Sequence, residues 1–465
     1  MTTTPPTDQP SETTYSARGS NYVLRKSFVR EGGVDANPEA EQWNRAVDHG
    51  FHGPEPTREA TGHILDSMRN SGVRLRAAYT ADPVPAAALG ADRPVATFCS
   101  WDSELTVCPG VGIPAWLISE VTVRPTHARR GLLRRLMTDD LTEAHERGFP
   151  VAALTASEAT IYGRFGFGAS TFNTEITVDA HTRLQLKAPT VGAVEMADNE
   201  AVARLAPEIF ARFHEGTAGS VTRQDKWWGL VSGAWDWHAG KADPEIRTAV
   251  HYDDAGQADG YVSYKFLPTQ GFEGALKVVD LVSPSWQGRI ALWEYLCNLD
   301  LVTEVRYGSA PMEDPLMWSM VDMSKYTVRK RFERVWLRVL DPVAALSARH
   351  YTSHRRITVS IVDSMGFADG LYEIDTTGTE TRVERVGERP RTQDDLEGKS
   401  MPAVDLPEGA DVALNVDSLG SLYLGAVKAS TLYHGGLLKV RDADALRDIQ
   451  ALMSTPTDPY CISPF

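Results

Sequence analysis

The chain has 465 residues, enough for about three domains, and its 42% hydrophobic and 23% charged content is that of a globular protein, which excludes disordered and fibrous classes. Forty-seven lysines and arginines against 62 aspartates and glutamates leave a formal charge of −15, a field that repels nucleic acid and anionic lipid and attracts cations. Four scattered cysteines (Cys99, Cys108, Cys297, Cys461) make neither a disulfide framework nor a zinc knuckle, and with no signal peptide or run of about 18 apolar residues a cytoplasmic protein without a membrane span is expected.

Residues 1–20 carry almost no large apolar side chains to repay the entropy of ordering, so a disordered tail is expected there. From residue 21 to 185 helices and strands alternate. Val95–Cys99 and Ile113–Val123 are apolar, β-branched runs that read as strands, the second stopping before Pro125. After Gly131, the positions Leu132, Leu133, Leu136, Met137, Leu141 and Ala144 follow helical spacing until Gly148-Phe-Pro closes the element. Val151–Leu154 reads as a short buried strand, and Glu158–Arg164 as a short helix before the glycine-punctuated Phe165-Gly-Phe-Gly168. A second mixed segment, 186–335, contains the strand Gly260–Phe266 and an amphipathic stretch from Trp286 to Leu299, with no catalytic spacing. A third, 336–465, opens with Trp336-Leu-Arg-Val-Leu340, includes the strand Arg356–Val362 and a polar loop around Glu388–Lys399, and ends at Phe465.

The stretch Ile118–Leu136 is the most informative. A strand ends at a proline, a short basic loop follows, and Gly131 opens an amphipathic helix. Unsatisfied N–H groups and the positive end of the dipole at a helix start suit a phosphate or pyrophosphate, with Arg129 and Arg130 adding charge. A capped surface helix with a solvated arginine pair is the plainer reading of the same loop. A strand then leads into a short helix whose Tyr162 would face the preceding strand.

The motifs Val123-Arg-Pro-Thr-His-Ala-Arg-Arg-Gly-Leu-Leu-Arg134, Ala156-Ser-Glu158 and Ile161-Tyr-Gly-Arg-Phe-Gly166 resemble the GNAT superfamily of acyl-CoA-dependent N-acyltransferases, and more closely its Eis-type (enhanced intracellular survival) acetyltransferases. Trp336–Leu346 and Asp417–Leu432 are similar to that family's C-terminal domain. The resemblance implies an α/β chain with a catalytic GNAT domain, a second, degenerate GNAT-like domain, a sterol-carrier-like domain and a homohexamer. It implies acetyl-CoA as co-substrate and no metal. The acceptor would be an amine of a cationic small molecule, aminoglycoside-like or polyamine-like, or a lysine side chain. Two departures stand out: Ala128 replaces the basic or amide residue usual in the superfamily's loop, and Pro464 replaces the acidic residue often found before the last Phe.

In that frame Val121, Thr122 and Val123 would offer a strand edge to the amides of pantetheine, an addition of the β-augmentation kind. Arg129, Arg130, Gly131, Leu132, Leu133 and Arg134 would wrap the pyrophosphate, and Ser157 and Glu158 would lie near the pantetheine arm. Tyr162, protonated at neutral pH, would donate to the departing thiolate. An alkylamine with pKa near 10.4 is almost wholly ammonium at pH 7, so a base is needed. The resemblance assigns that role to the α-carboxylate of Phe465. In the segment Trp43–Pro54, read as the substrate mouth, Trp43, Asp48 and Phe51 are candidates for holding the amine, by charge and ring face. His49, His52 and His127 read as polar scaffolding, Trp227, Trp228, Trp235 and Trp237 as core or interface aromatics, and His238 lacks a ligand set for metal. Two other readings compete: a lipid carrier or acyl-CoA-binding regulator with an inert GNAT domain, and an N-terminal protein acyltransferase.

Overall fold

The structure, a computed structural model, describes residues 10–390 and 404–465. They form mixed α/β layers around three sheets of eight, seven and five strands. The first sheet runs β1 (Ser11–Ala17), β2 (Ser20–Phe28), β3 (Arg74–Thr80), β4 (Ala96–Cys108), β5 (Val111–Val123) and β6 (Val151–Leu154), then the strand Trp336–Val339 and β7 (Gly168–Ala169). Its helices are α1 (Gly33–Ala36), α2 (Pro38–Gly50), α3 (Arg58–Asn70), α4 (Leu132–Glu146) and α5 (Ala159–Tyr162). The helical spacing read after Gly131 is that of α4, whose Leu132, Leu136, Met137, Leu141 and Ala144 pack on Phe98, Trp116 and Ile118 of the sheet. Buried Asp140 fixes the register of this helix, accepting from Arg76 Nε at 2.8 Å, Ser100 Oγ at 2.7 Å and Trp116 Nε1 at 2.7 Å.

The expected disordered tail is corrected by β1, which pairs antiparallel with β2 from Ser11↔Lys26 to Ala17↔Ser20. The loop is only Arg18-Gly19, with φ of 50° and 77°, the two left-handed residues of a tight hairpin turn. Residues 1–9 lie outside the described residues, as does most of the loop expected at Glu388–Lys399.

The sheets divide the chain elsewhere than at 185 and 335. β8 (Phe172–Asp179) belongs to the second sheet, between Tyr326–Glu333 and Val302–Pro311. Trp336–Val339, expected to open the third domain, instead joins the first sheet, antiparallel to β6 and β7. The second sheet continues through Glu273–Val282, Ala258–Gln270, Ile246–Tyr252 and Ala193–Ala197, and carries α6 (Asn199–Gly216), α7 (Lys226–Ser232) and α8 (Trp286–Cys297). The third is built on Arg356–Val362 and packs the helix Val416–Tyr423 against the first. That contact accounts for two of the glycines after Tyr162: a Cβ at Gly166 would meet Val416 Cγ1 of this helix at 2.6 Å, and one at Gly168 the Asp417 carbonyl at 1.8 Å. Among the described residues no helix is long and apolar enough to cross a membrane.

Candidate active site

Two strands part to open the site. β5 and β6 pair in parallel only from Ala115↔Val151 to Ile118↔Leu154. Beyond Ile118, β5 continues to Val123 with β4 on one side, so from Ser119 onward its other edge has no strand partner among the described residues. A bulge lies in this stretch, where Glu120 and Val121 face a single residue of β4 and Glu120 has φ 52°. The Thr97 hydroxyl pins it by donating to the Glu120 carbonyl at 2.8 Å.

Below the open edge, Gly131 with φ 76° begins α4 without a side-chain cap. The first N–H groups of the helix therefore face outward, an arrangement that can hold an anion. Arg129, Arg134 and Leu133 lie on or near the surface of this turn, whereas the Leu132 side chain is in the core and can offer only its backbone. Arg130 serves the loop itself: its guanidinium donates to the Ser20 hydroxyl, to Tyr22 Oη at 2.9 Å and to the Thr126 carbonyl at 3.1 Å. Tyr15 of β1 covers the same turn, donating to the Arg130 carbonyl at 3.3 Å.

A cavity of about 360 Å³ fills the wedge above. It gathers Val121, Ser157, Tyr162, Phe51 and Phe465, five of the residues singled out in the sequence. Tyr162 is buried at the end of α5, its ring edge-on to Phe167 with centroids 6.5 Å apart. Burial pushes its hydroxyl above the ordinary value, against a hydrogen bond with Ser157 and with the help of the Glu158 charge, so it stays protonated. Thr122 and Val123 continue the open edge, and Glu158 is exposed at the start of α5.

Phe465 reaches the cavity from the third domain along a pinned path. The Asn173 amide donates to the Cys461 carbonyl at 2.8 Å, Arg223 to the Ile462 carbonyl at 3.4 Å, and Ser463 Oγ to the Val221 carbonyl at 3.0 Å. The Phe465 ring stands edge-on to Trp101, centroids 6.3 Å apart, and Thr155 Oγ1 donates to a terminal oxygen of Phe465 at 2.5 Å.

The substrate-mouth candidates separate. Trp43 is 2% exposed and donates Nε1 to the Arg76 carbonyl at 3.0 Å, so it is a core residue and its assignment as substrate-facing is corrected. Phe51 follows α2, half exposed, at the cavity rim. Asp48 faces inward from α2, where burial and then the Glu120 charge push its carboxyl up to about 6, against His238 and Trp237. The cavity also takes residues that the sequence did not single out or read otherwise: Glu120, Gln224 and Lys226, together with Trp227 and Trp237, which had been assigned to core or interface. A charged residue inside the apolar run of β5 was the signal available for Glu120. No group of three or more metal-ligating side chains occurs among the described residues.

Residues 36–170 and again 219–339 match models described as the acetyltransferase (GNAT) domain, and 342–462 match the sterol carrier protein domain. An uncharacterized N-acetyltransferase of Streptomyces avermitilis is 34% identical over 93% of this chain and 99% of its own. The N-acetyltransferase Eis of Mycobacterium tuberculosis is 30% identical over 76% of this chain and 81% of its own. The crystal structure of Eis1 from Mycobacterium abscessus superposes with a TM-score of 0.73 at 28% identity, covering 95% of this chain and all of that one. With its split strands, its paired GNAT domains and these relatives, the chain belongs to the Eis-type N-acetyltransferases of the GNAT superfamily.

Proposed function

We propose that this acetyltransferase moves an acetyl group from acetyl-CoA to the amine of a cationic small molecule of aminoglycoside-like or polyamine-like type or to a lysine side chain. The observation that carries the reading is the convergence of Tyr162, Phe465 and the open edge of β5 on one cavity. The edge Val121–Val123 fits pantetheine amides, and the uncapped start of α4 at Gly131, Leu132, Leu133 and Arg134, with Arg129 beside it, fits the pyrophosphate. Ser157 and Glu158 flank the pantetheine path. Arg130 acts by holding this loop in shape. Bound acetyl-CoA supplies the thioester. Phe465 takes one proton from the ammonium through its carboxylate, the freed nitrogen bonds to the acetyl carbon, and the carbon–sulfur bond breaks. Tyr162 gives its proton to the sulfur and regains one from the nitrogen, so one proton reaches solvent per turnover. A free terminal carboxylate, near 3.5, is a weak base, and its negative charge also holds the incoming ammonium.

Exposed apolar side chains of the second domain, among them Met196, Phe272, Leu301 and Trp318, support self-association, which the family resemblance puts at a homohexamer; sedimentation as a monomer would remove it. Four free cysteines suit the cytoplasm. The deciding experiment adds one residue after Phe465, which displaces the carboxylate by up to about 3.5 Å. Thiol release from acetyl-CoA with a polyamine panel should collapse while acetyl-CoA still binds; full turnover by the extended chain would return the search for the base to Asp48, His49, His52 or a bound water.

A further inference from the structure

The acceptor side of the cavity holds two opposite charges that do not bond to each other. Lys226, at the start of α7, is 8% exposed, and its ammonium lies 5.1 Å from the ring centroid of Trp237 and 5.8 Å from that of Trp227. Glu120, on the bulge of β5, lines the same cavity. Among the described residues neither head group has a hydrogen-bond or ion-pair partner. The carboxylate nonetheless feels the ammonium: burial pushes the Glu120 carboxyl up and the Lys226 charge pulls it back.

A lone ammonium in this position is costly for an enzyme whose acceptor is a simple cation. It repels the ammonium that must approach Phe465, and two indole faces return less than the water it gave up. An apolar side chain among Met68, Val73, Trp227 and Trp237 would fill the place without that cost. The charge fits an acceptor that brings an anion of its own.

Resting on the acetyltransferase reading above, we infer that the acceptor is an amine that also carries a carboxylate, an amino acid in the chemical sense, with its carboxylate on Lys226 and its ammonium toward Glu120 and Phe465. The transfer is otherwise unchanged: the nitrogen bonds to the acetyl carbon, the carbon–sulfur bond breaks, and the acceptor carboxylate takes no part.

The test pairs each α- or ω-amino acid of a length series with the amine that lacks only its carboxylate, and measures kcat/KM for both by thiol release. The amino acid should be favoured by about tenfold or more, the worth of one hydrogen bond between charged groups. Lys226→Met should bring the ratio toward one, chiefly through KM, and Lys226→Arg should keep it; acetyl-CoA binding checks that both variants fold. Equal turnover within the pairs, or a ratio that Lys226→Met leaves unmoved, overturns this inference and spares the acetyltransferase reading. Release of no thiol with any amine overturns both.

Discussion

Thr155 and Phe465, 310 residues apart, are joined by a hydrogen bond of 2.5 Å from the threonine hydroxyl to a terminal oxygen of the chain. Thr155 follows β6 directly, so the bond fastens the last residue of the third domain to the strand that forms one wall of the wedge. It leaves the carboxylate one donor richer and fixed in direction.

On the mechanism proposed above, replacing Thr155 by valine, which keeps the shape and removes the donor, should lower kcat by about 10- to 100-fold, because the proposed base loses a hydrogen bond that positions it. Acetyl-CoA affinity should not move, and Thr155→Ser should restore most of the rate. A Thr155→Val enzyme with wild-type kcat would mean that the ring of Phe465 against Trp101 positions the carboxylate without help.

On the mechanism proposed above, Tyr162→Phe removes the proton donor used when the carbon–sulfur bond breaks. Turnover should fall by about 10²- to 10⁴-fold with little change in the dissociation constant of acetyl-CoA. Steady-state kinetics beside calorimetry separates the two; retained kcat would point to water as the donor to sulfur.

The two loop arginines should behave differently. Arg129 is exposed and has a left-handed φ of 59°, so Arg129→Ala should weaken acetyl-CoA binding by about 1 to 3 kcal/mol and leave thermal stability close to wild type. Arg130 holds Ser20, Tyr22 and the Thr126 carbonyl together, and Arg130→Ala should lower the melting temperature as well. Identical effects of the two substitutions, in calorimetry and in melting curves, would contradict this division.

How much of this was legible in the sequence depends on whether a feature is local. The strand, loop and helix from Ile113 to Glu146 were readable because apolar periodicity and a helix-opening glycine act within a few residues of each other. Tyr162 and Phe465 came from motif resemblance, and the cavity brings them together. β1 was missed because its side chains are mostly polar and, Tyr15 apart, carry little apolar bulk, and its order comes from a hairpin register set by Arg18-Gly19. Trp336–Val339 was assigned to the wrong layer because a strand inserted between β6 and β7 leaves no local trace of its neighbours. Lys226 and Trp237 reach the cavity from the second domain, so only tertiary structure makes them part of its lining.

Asp48 gives the last prediction, one of stability against pH. In the folded chain its carboxyl is pushed up to about 6, first by burial and then by Glu120. Unfolded, an aspartate ionises near 3.9. Between these values the folded state holds a proton that the unfolded state has released, so this residue's contribution falls as pH rises through the window and stays low above about 6. Asp48→Asn, which cannot ionise, removes that loss. Relative to the variant, the wild-type protein should lose about 1 to 2 kcal/mol between pH 4 and pH 7, less than the full shift implies because the site opens toward water. Glu120→Gln should move the window downward, since one of the charges that holds the Asp48 proton is gone. Denaturant melts of the three proteins across pH 4 to 8 measure both effects, and a wild-type-minus-variant difference that is flat in pH would show that Asp48 ionises alike in the folded and unfolded chains.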